Sequence, residues 1–375
     1  MGCDPVRGSI SGKTWMNNQS ALDAQPGGMV IGLDDPILVT GAAGFIGRRV
    51  VASLLERGFR NVRCFTRRSN AQMQSAAGGG GESPAVQMIH GNLLSKEDCQ
   101  MAVQNVKVIY HLAAGSGEKS FADAYLNSVV TTRNLLEAGL ATGCLRRFVN
   151  VSSFAVYSNQ NKASGGTLDE SCPIKKRSER QGDAYAYAKI KQDELIMEYG
   201  RKQRIPYVLV RPGAVYGPGK RAITGRVGIG TFGIYLHLGG LNRIPFTYVD
   251  NCADAIVLAG LKSGIDGQVF NVVDDDLPRS FQFLRQFKKN AKHFRSIYLP
   301  HFASWLLCCL WEKYSDYSHG QLPPVFNRAR WHAEWKGSRY SNRKLKEGLG
   351  WNQKVSTAEG MRMYFEDCRQ GGVHA

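Results

Sequence analysis

Residues 36–47 read Pro36-Ile37-Leu38-Val39-Thr40-Gly41-Ala42-Ala43-Gly44-Phe45-Ile46-Gly47. Pro36 to Val39 is a short apolar run of the kind buried strands use, and from Phe45 to Arg57 the apolar residues recur at helical spacing. Between them stand three glycines, each meeting a different steric demand. Gly41 permits a tight turn, Gly44 lets backbone approach a bound diphosphate, and Gly47 lets the helix pack close to the strand. The first helical turn, with Phe45 and Ile46, offers unpaired N–H groups and the positive end of a dipole to an anion. Glycine triplets arise by chance, but here the strand, turn and helix that the mechanism requires are all present.

Working outward, Val62 to Thr66 reads as the next strand, which completes a βαβ unit. A loop from Ser69 to Pro84 holds Gly78 to Gly81. Further strands are expected at Val86 to Ile89, Val106 to His111, Arg147 to Val151, Tyr207 to Val210 and Val269 to Val272, with helical segments between. Strands alternating with helices predict an α/β fold, a Rossmann-type doubly wound parallel sheet with a smaller C-terminal lobe. Residues 1–34 mix Gly, Ser, Asn and Gln without apolar period and read as a disordered leader, with Met29 an alternative start. Met1-Gly2-Cys3 hints at acylation, but Val6 stands where a myristoylation signal wants Ser or Thr.

With 375 residues, 43% of them hydrophobic, the chain can build one large core or two smaller ones. No apolar run of about 18 residues predicts a spanning helix, and no signal-peptide pattern opens the chain, so a cytoplasmic location is expected. The nine cysteines show no Cys-x-x-Cys spacing, so neither a disulfide framework nor a metal site is indicated. The net charge of +17 is uneven: residues 277–375 hold 17 Lys/Arg against 7 Asp/Glu. That excess suits an anionic partner, either a phosphorylated substrate or an anionic membrane face, or it is simply a solvated surface. No nucleic-acid-binding signature accompanies it, so no nucleic-acid partner is expected.

The Thr-Gly-x-x-Gly-x-x-Gly form resembles the extended short-chain dehydrogenases, the NAD-dependent epimerase/dehydratase family. The resemblance runs along most of residues 36–368 and implies a nicotinamide cofactor, NAD or NADP. At the tip of the second strand an acidic residue would hold a ribose 2′-hydroxyl and a basic one a 2′-phosphate. Thr66-Arg67-Arg68 stands there, which favours NADP, although Arg67 and Arg68 could equally be solvated loop charges. Gly91-Asn92-Leu93 replaces the family's Gly-Asp-Leu at the adenine, where Asn92 can still accept a hydrogen bond. His111-Leu112-Ala113-Ala114-Gly115 resembles the fourth-strand exit beside the ribose, with Ala113 and Ala114 lining the cofactor, and Asn127 matches an Asn on the following helix. Pro212 and Gly213, in Arg211-Pro212-Gly213-Ala214-Val215-Tyr216-Gly217-Pro218, also fall to the cofactor. Tyr248-Val249-Asp250-Asn251 opens a late helix.

Catalysis, by the same resemblance, falls to Ser153, Tyr185 and Lys189. Residues four apart share a helix face, so the lysine can reach the phenol and bring its pKa, ordinarily about 10, nearer neutrality. A second frame, Tyr187 with Lys191, competes. The first is favoured because Asp193 follows Lys189 by four and Ala188 precedes it.

The family's plan assigns 35–211 and 247–275 to the dinucleotide-binding domain and 212–246 with 276–370 to the substrate-binding lobe, and it commonly gives a homodimer. A sugar substrate, nucleotide- or lipid-linked and of the surface-polysaccharide type, is expected from the likeness of the C-terminal lobe. Against the strict nucleotide-sugar group, Gly213 stands where those enzymes carry Asn and Ile244 where they carry Arg. The Pro-Gly-x-Val-Tyr-Gly-Pro form resembles the 3β-hydroxysteroid dehydrogenase-like and keto-reductase branches, whose substrate would be a sterol or other lipid. Some relatives are non-catalytic sensors, which typically lose the Tyr or Lys kept here. Phe302 to Trp311, apolar almost all round, reads as a core helix or pocket lid, with peripheral membrane contact the alternative.

Overall fold

The computed structural model describes residues 28–67, 85–115, 120–159, 165–176, 183–231, 233–318 and 326–371. Seven strands form one parallel sheet: β1 (Ile37–Thr40), β2 (Val62–Thr66), β3 (Val86–His90), β4 (Val108–His111), β5 (Arg147–Val151), β7 (Tyr207–Pro212) and β12 (Val269–Val272). The spatial order is β3-β2-β1-β4-β5-β7-β12, so the winding reverses between β1 and β4 and opens a crevice at their carboxyl ends.

Period-two alternation deals the strand residues to two core layers. Ile37, Val39, Val108, Tyr110, Val149 and Val208 face the layer under α1 (Phe45–Glu56) and α5 (Val249–Leu261). Leu38, Ile109, Phe148 and Leu209 face the layer under α2 (Lys96–Ala102), the helix at 121–141 (α3) and α4 (Ala184–Gln203). Both faces are covered, which explains why these strands read as continuous apolar runs.

Beyond the sheet, β8 (Ala214–Tyr216) pairs with β11 (Phe246–Tyr248), and β6 (Thr167–Leu168) pairs with β14 (Arg339–Tyr340). A three-stranded sheet joins β9 (Gly228–Thr231), β10 (Ile234–His237) and β13 (Ser296–Tyr298). Helices α6 (Ser280–Asn290), α7 (His301–Tyr317), α8 (Arg343–Leu349) and α9 (Thr357–Gly371) complete the chain. Leu345 of α8 and Tyr364 of α9 join the same core layer as β1.

Two expectations need correction. The ordered fold begins before residue 35: Val30 N–H donates to Leu261 O (2.9 Å), Ile31 is buried, and Asp34 pairs with Arg60. An apolar Met-Val-Ile run inside the supposed leader closes the end of α5; residues 1–27 lie outside the described residues. Helix α7 is only half a core helix and not a lid: Cys308, Leu307 and Trp311 pack in the cluster around Trp331 and Trp335, the other side is exposed, and none of its residues lines the crevice.

Candidate active site

The turn after β1 is built by exclusion of side chains. Gly41 has φ +68°, the left-handed region glycine tolerates. A Cβ on Gly47 would lie 2.1 Å from Gly41 O and 2.9 Å from Ala42 Cα, so only glycine lets α1 start this close to the strand. No side chain caps the start of α1 at Gly44 and its first turn carries no acid, so its N–H groups and dipole suit an anion. The residues fit a dinucleotide diphosphate.

This turn forms one wall of a cavity of about 1170 Å³. Gly41, Gly44, Phe45, Ile46 and Gly47 line it at β1; Arg67, Asn92 and Leu93 line it at the β2 and β3 tips. Ala113 and Ala114 come from the β4 exit, Ser153, Tyr185 and Lys189 from β5 and α4, and Pro212 and Gly213 from β7. Arg68, the remaining expected residue, lies outside the described residues. Asn92 commits its side-chain oxygen to Leu94 N–H (3.0 Å), so its role in the turn competes with any adenine contact. Asn127 also reaches the cavity, from a π-helical turn at Leu126–Val130 inside α3.

Ser153 Oγ accepts from Ala155 N–H (3.1 Å), which starts a short 3₁₀ turn and turns the hydroxyl away from β5. Ser152 donates instead to Asp193 (2.9 Å), beneath the floor of the site. Burial raises the Tyr185 phenol above its ordinary value, a hydrogen bond with Ser153 acts in the other direction, and Asp183 and Asp193 add to the rise. Tyr185 is nonetheless 42% exposed, because it faces the open cavity. Lys189 donates to Val151 O (2.8 Å), so the cation expected to lower the phenol is directed at strand backbone. A buried amine needs such an acceptor. Burial pulls Lys189 down to about 8, and Asp193 partly offsets this.

Asp193 takes hydrogen bonds from Ser152, Asn150 and the Arg211 guanidinium, whose Nη2 lies 2.9 Å away. Burial raises its carboxyl and Arg211 opposes that rise. Beside this wall, His111 is neutral, its pKa lowered to about 3 by burial and by Lys189. Thr132 Oγ1 donates to Ser128 O (2.6 Å), which leaves it to accept from His111 Nε2 (2.9 Å). His111 Nδ1 then accepts from Thr40 Oγ1 (2.8 Å), and Thr40 Oγ1 accepts from Ala113 N–H (3.3 Å). This chain fixes the imidazole tautomer and the backbone at Ala113.

The competing frame faces elsewhere. Tyr187 packs edge-on against Phe121, and Lys191 pairs with Glu194 (2.8 Å). Sequence reasoning missed Lys220, which lines the cavity, donates to Val215 O (3.1 Å) and lies 5.8 Å from the Phe45 ring. Its only local signal was its place after Gly217-Pro218-Gly219.

A family model described as "NAD dependent epimerase/dehydratase family" matches residues 37–272. The chain belongs to that family. It is thus similar to enzymes of the extended short-chain dehydrogenase type, and the family is described as NAD-dependent. Among relatives in the family, 3beta-hydroxysteroid-dehydrogenase/decarboxylase isoform 2 of Arabidopsis thaliana is 27% identical over 87% of this chain and 60% of its own length. A trifunctional UDP-glucose 4,6-dehydratase/epimerase/reductase of the same plant is 28% identical over 63% of this chain and 36% of its own. The chain therefore spans less than two thirds of either relative. A solved UDP-glucuronic acid 4-epimerase from Bacillus cereus, in complex with UDP-glucuronic acid and NAD, superposes with a TM-score of 0.67 at 23% identity, covering 89% of this chain and 99% of that one. At that identity the likeness shows the shared fold.

Proposed function

We propose that this protein interconverts a secondary alcohol and its ketone by hydride exchange with NAD or NADP, on a substrate with an apolar body of the sterol or lipid type. One observation carries the reaction class: Ser153, Tyr185 and Lys189 line the same cavity as the Gly41–Gly47 turn. The turn and α1 would hold the diphosphate of a nicotinamide dinucleotide, which would supply or accept the hydride. Ser153 orients the substrate oxygen. Tyr185 takes the hydroxyl proton as the carbonyl forms, or returns it in the reverse direction. Lys189, which donates to Val151 O, would hold the nicotinamide-side ribose. Residues 212–246 and 276–370 hold the substrate, and Arg67, with Thr66 in place of a carboxylate, tilts the preference toward NADP.

The apolar substrate rests on what the lobe cannot offer. A Cβ on Gly213 would lie 2.1 Å from Pro245 O, so the Asn that nucleotide-sugar enzymes carry there has no room. Ile244 is buried in the core where those enzymes carry Arg. A hollow of about 110 Å³ shares Ala214, Val215, Lys220 and Thr224 with the main cavity and is walled by Tyr216, Ile223, Phe246 and Phe283. A second reading, a nucleotide- or lipid-linked sugar, is favoured by Lys220, a cation within the cavity able to meet a phosphate.

Native mass spectrometry for a retained dinucleotide, then absorbance of the reduced nicotinamide together with chromatographic analysis of the products, with sterols, lipid ketones and UDP-sugars, tests this reading. Redox turnover on the apolar compounds is expected. Turnover on UDP-sugars alone would replace it with the second reading, and no turnover in either panel, with the dinucleotide still bound, would favour a non-catalytic sensor.

A further inference from the structure

Helix α7 is apolar on its outer side as well as on its packed side. Its inner side presents Ser304, Cys308 and Ser315, with Leu307 and Trp311 packed on the cluster around Phe326 and Trp335 and Trp331 Nε1 donating to Ser304 Oγ (2.9 Å). Its exposed residues are Phe302, Trp305, Leu306, Leu310, Tyr314 and Tyr317 together with Lys313 and Asp316. At 100° per residue, Phe302, Leu306, Leu310, Lys313 and Tyr317 fall within about 80° of arc, with Trp305 and Tyr314 at its edges. Phe302 is 75% and Tyr317 81% exposed. β13, which leads into α7, adds Ile297 and Tyr298, each about half exposed on its own face of the strand. So large an apolar face at the surface of a fold marks a contact surface.

Charge identifies the partner. Residues 281–318 hold six Lys/Arg, namely Arg285, Lys288, Lys289, Lys292, Arg295 and Lys313, against Glu312 and Asp316. Glu312 is already paired with Arg328 (2.9 Å). An apolar arc edged by Trp and Tyr, approached through a run of cations, matches the chemistry of an anionic bilayer surface: rings and leucines enter the boundary and Lys/Arg meet lipid phosphates. Lys313, inside the arc, can extend its stem along the apolar face and keep its ammonium at the headgroups. No helix among the described residues is long and apolar enough to cross a membrane. A second copy of the chain would instead bring two basic segments together, which like-charge repulsion opposes.

We infer that the exposed face of α7, with β13, docks this protein in the plane of an anionic membrane surface. The test is flotation of the full chain with phosphatidylcholine vesicles and with mixed phosphatidylcholine/phosphatidylserine vesicles. Binding to the mixed vesicles, weakened by salt, is expected. Leu306→Gln with Leu310→Gln should cut the partition coefficient by about tenfold or more, while melting temperature and dinucleotide binding stay unchanged because both side chains are exposed. Lys292→Glu with Arg295→Glu should remove the preference for the anionic lipid, and Tyr317→Ser supplies an independent exposed variant should the leucine pair disturb folding. Absence of vesicle binding, or binding indifferent to all three variants, would overturn the inference. So would a concentration-dependent dimer in sedimentation that the leucine variant abolishes, since a second copy would then cover the face. These outcomes do not depend on which substrate the active site takes.

Discussion

Two tyrosine–lysine pairs sit two residues apart on α4, alike in residue type and spacing, and the molecule treats them oppositely. Positions two apart on a helix differ by about 200°. Tyr185 and Lys189 therefore face the cavity, with Lys189 only 4% exposed above Asp193, while Tyr187 packs on Phe121 and Tyr125 and Lys191 meets Glu194 at the surface. A Tyr-x-x-x-Lys motif thus sets a shared face and nothing more. The wall behind it, here Val151, Ser152, Asp193 and Arg211, is what sets the inner copy against the cavity.

Breaking the inner pair should have the largest effect. Lys189→Met should cut turnover and also weaken dinucleotide binding by the loss of a charge-assisted contact, about 1.5–3 kcal/mol or roughly 10- to 150-fold, read by cofactor titration. Tyr185→Phe should lower kcat by about 10² to 10⁴ with cofactor affinity almost unchanged, because only a hydroxyl is removed. If Tyr187→Phe and Lys191→Met gave those losses instead, the site would lie on the opposite face of α4.

Asp193→Asn should cost about 3–5 kcal/mol of stability by chemical denaturation, since it leaves the Arg211 guanidinium buried without its counter-charge. The pH dependence follows from Lys189, lowered from 10.5 to about 8. The ammonium holds its proton below about 8, so dinucleotide affinity should be full there, fall by up to about tenfold per pH unit above it, and be flat in Lys189→Met. The contribution to folding runs the other way: the cost of burying the charge is present in full below about 8 and fades as pH rises toward 10.5. The smallest effects belong to the outer pair. Lys191→Met removes an exposed ion pair worth at most about 1 kcal/mol, and Tyr187→Phe keeps the ring stacking, so both should turn over at close to the wild-type rate.

The sheet was legible because its strands are buried on both faces and its glycine turn has a fixed steric logic. Ile37 to Val39 and Val149 to Val151 announce themselves without reference to anything distant. The cavity wall was legible for the same reason, since Ser153, Tyr185 and Pro212 each sit at a strand exit or on the first turns of a helix. What escaped depends on contacts far apart in sequence. Lys220 reaches Val215 O and the Phe45 face through a loop with no periodicity, and Val30 joins the fold only by meeting Leu261. Only the packed side of helix α7 was legible, because apolar content does not say which side is covered; that depends on Phe326, Trp331 and Trp335.

The blocked position at Gly213 also bears on how this protein can change. A Cβ there would collide with a main-chain oxygen, and backbone cannot swing aside as the far end of a side chain can. An asparagine at 213 therefore demands a prior displacement of the segment around Pro245, between the buried Ile244 and Phe246. Single-site randomisation at 213 should return glycine, and a new amide contact would be reached only by libraries that vary 213 and 244–246 together.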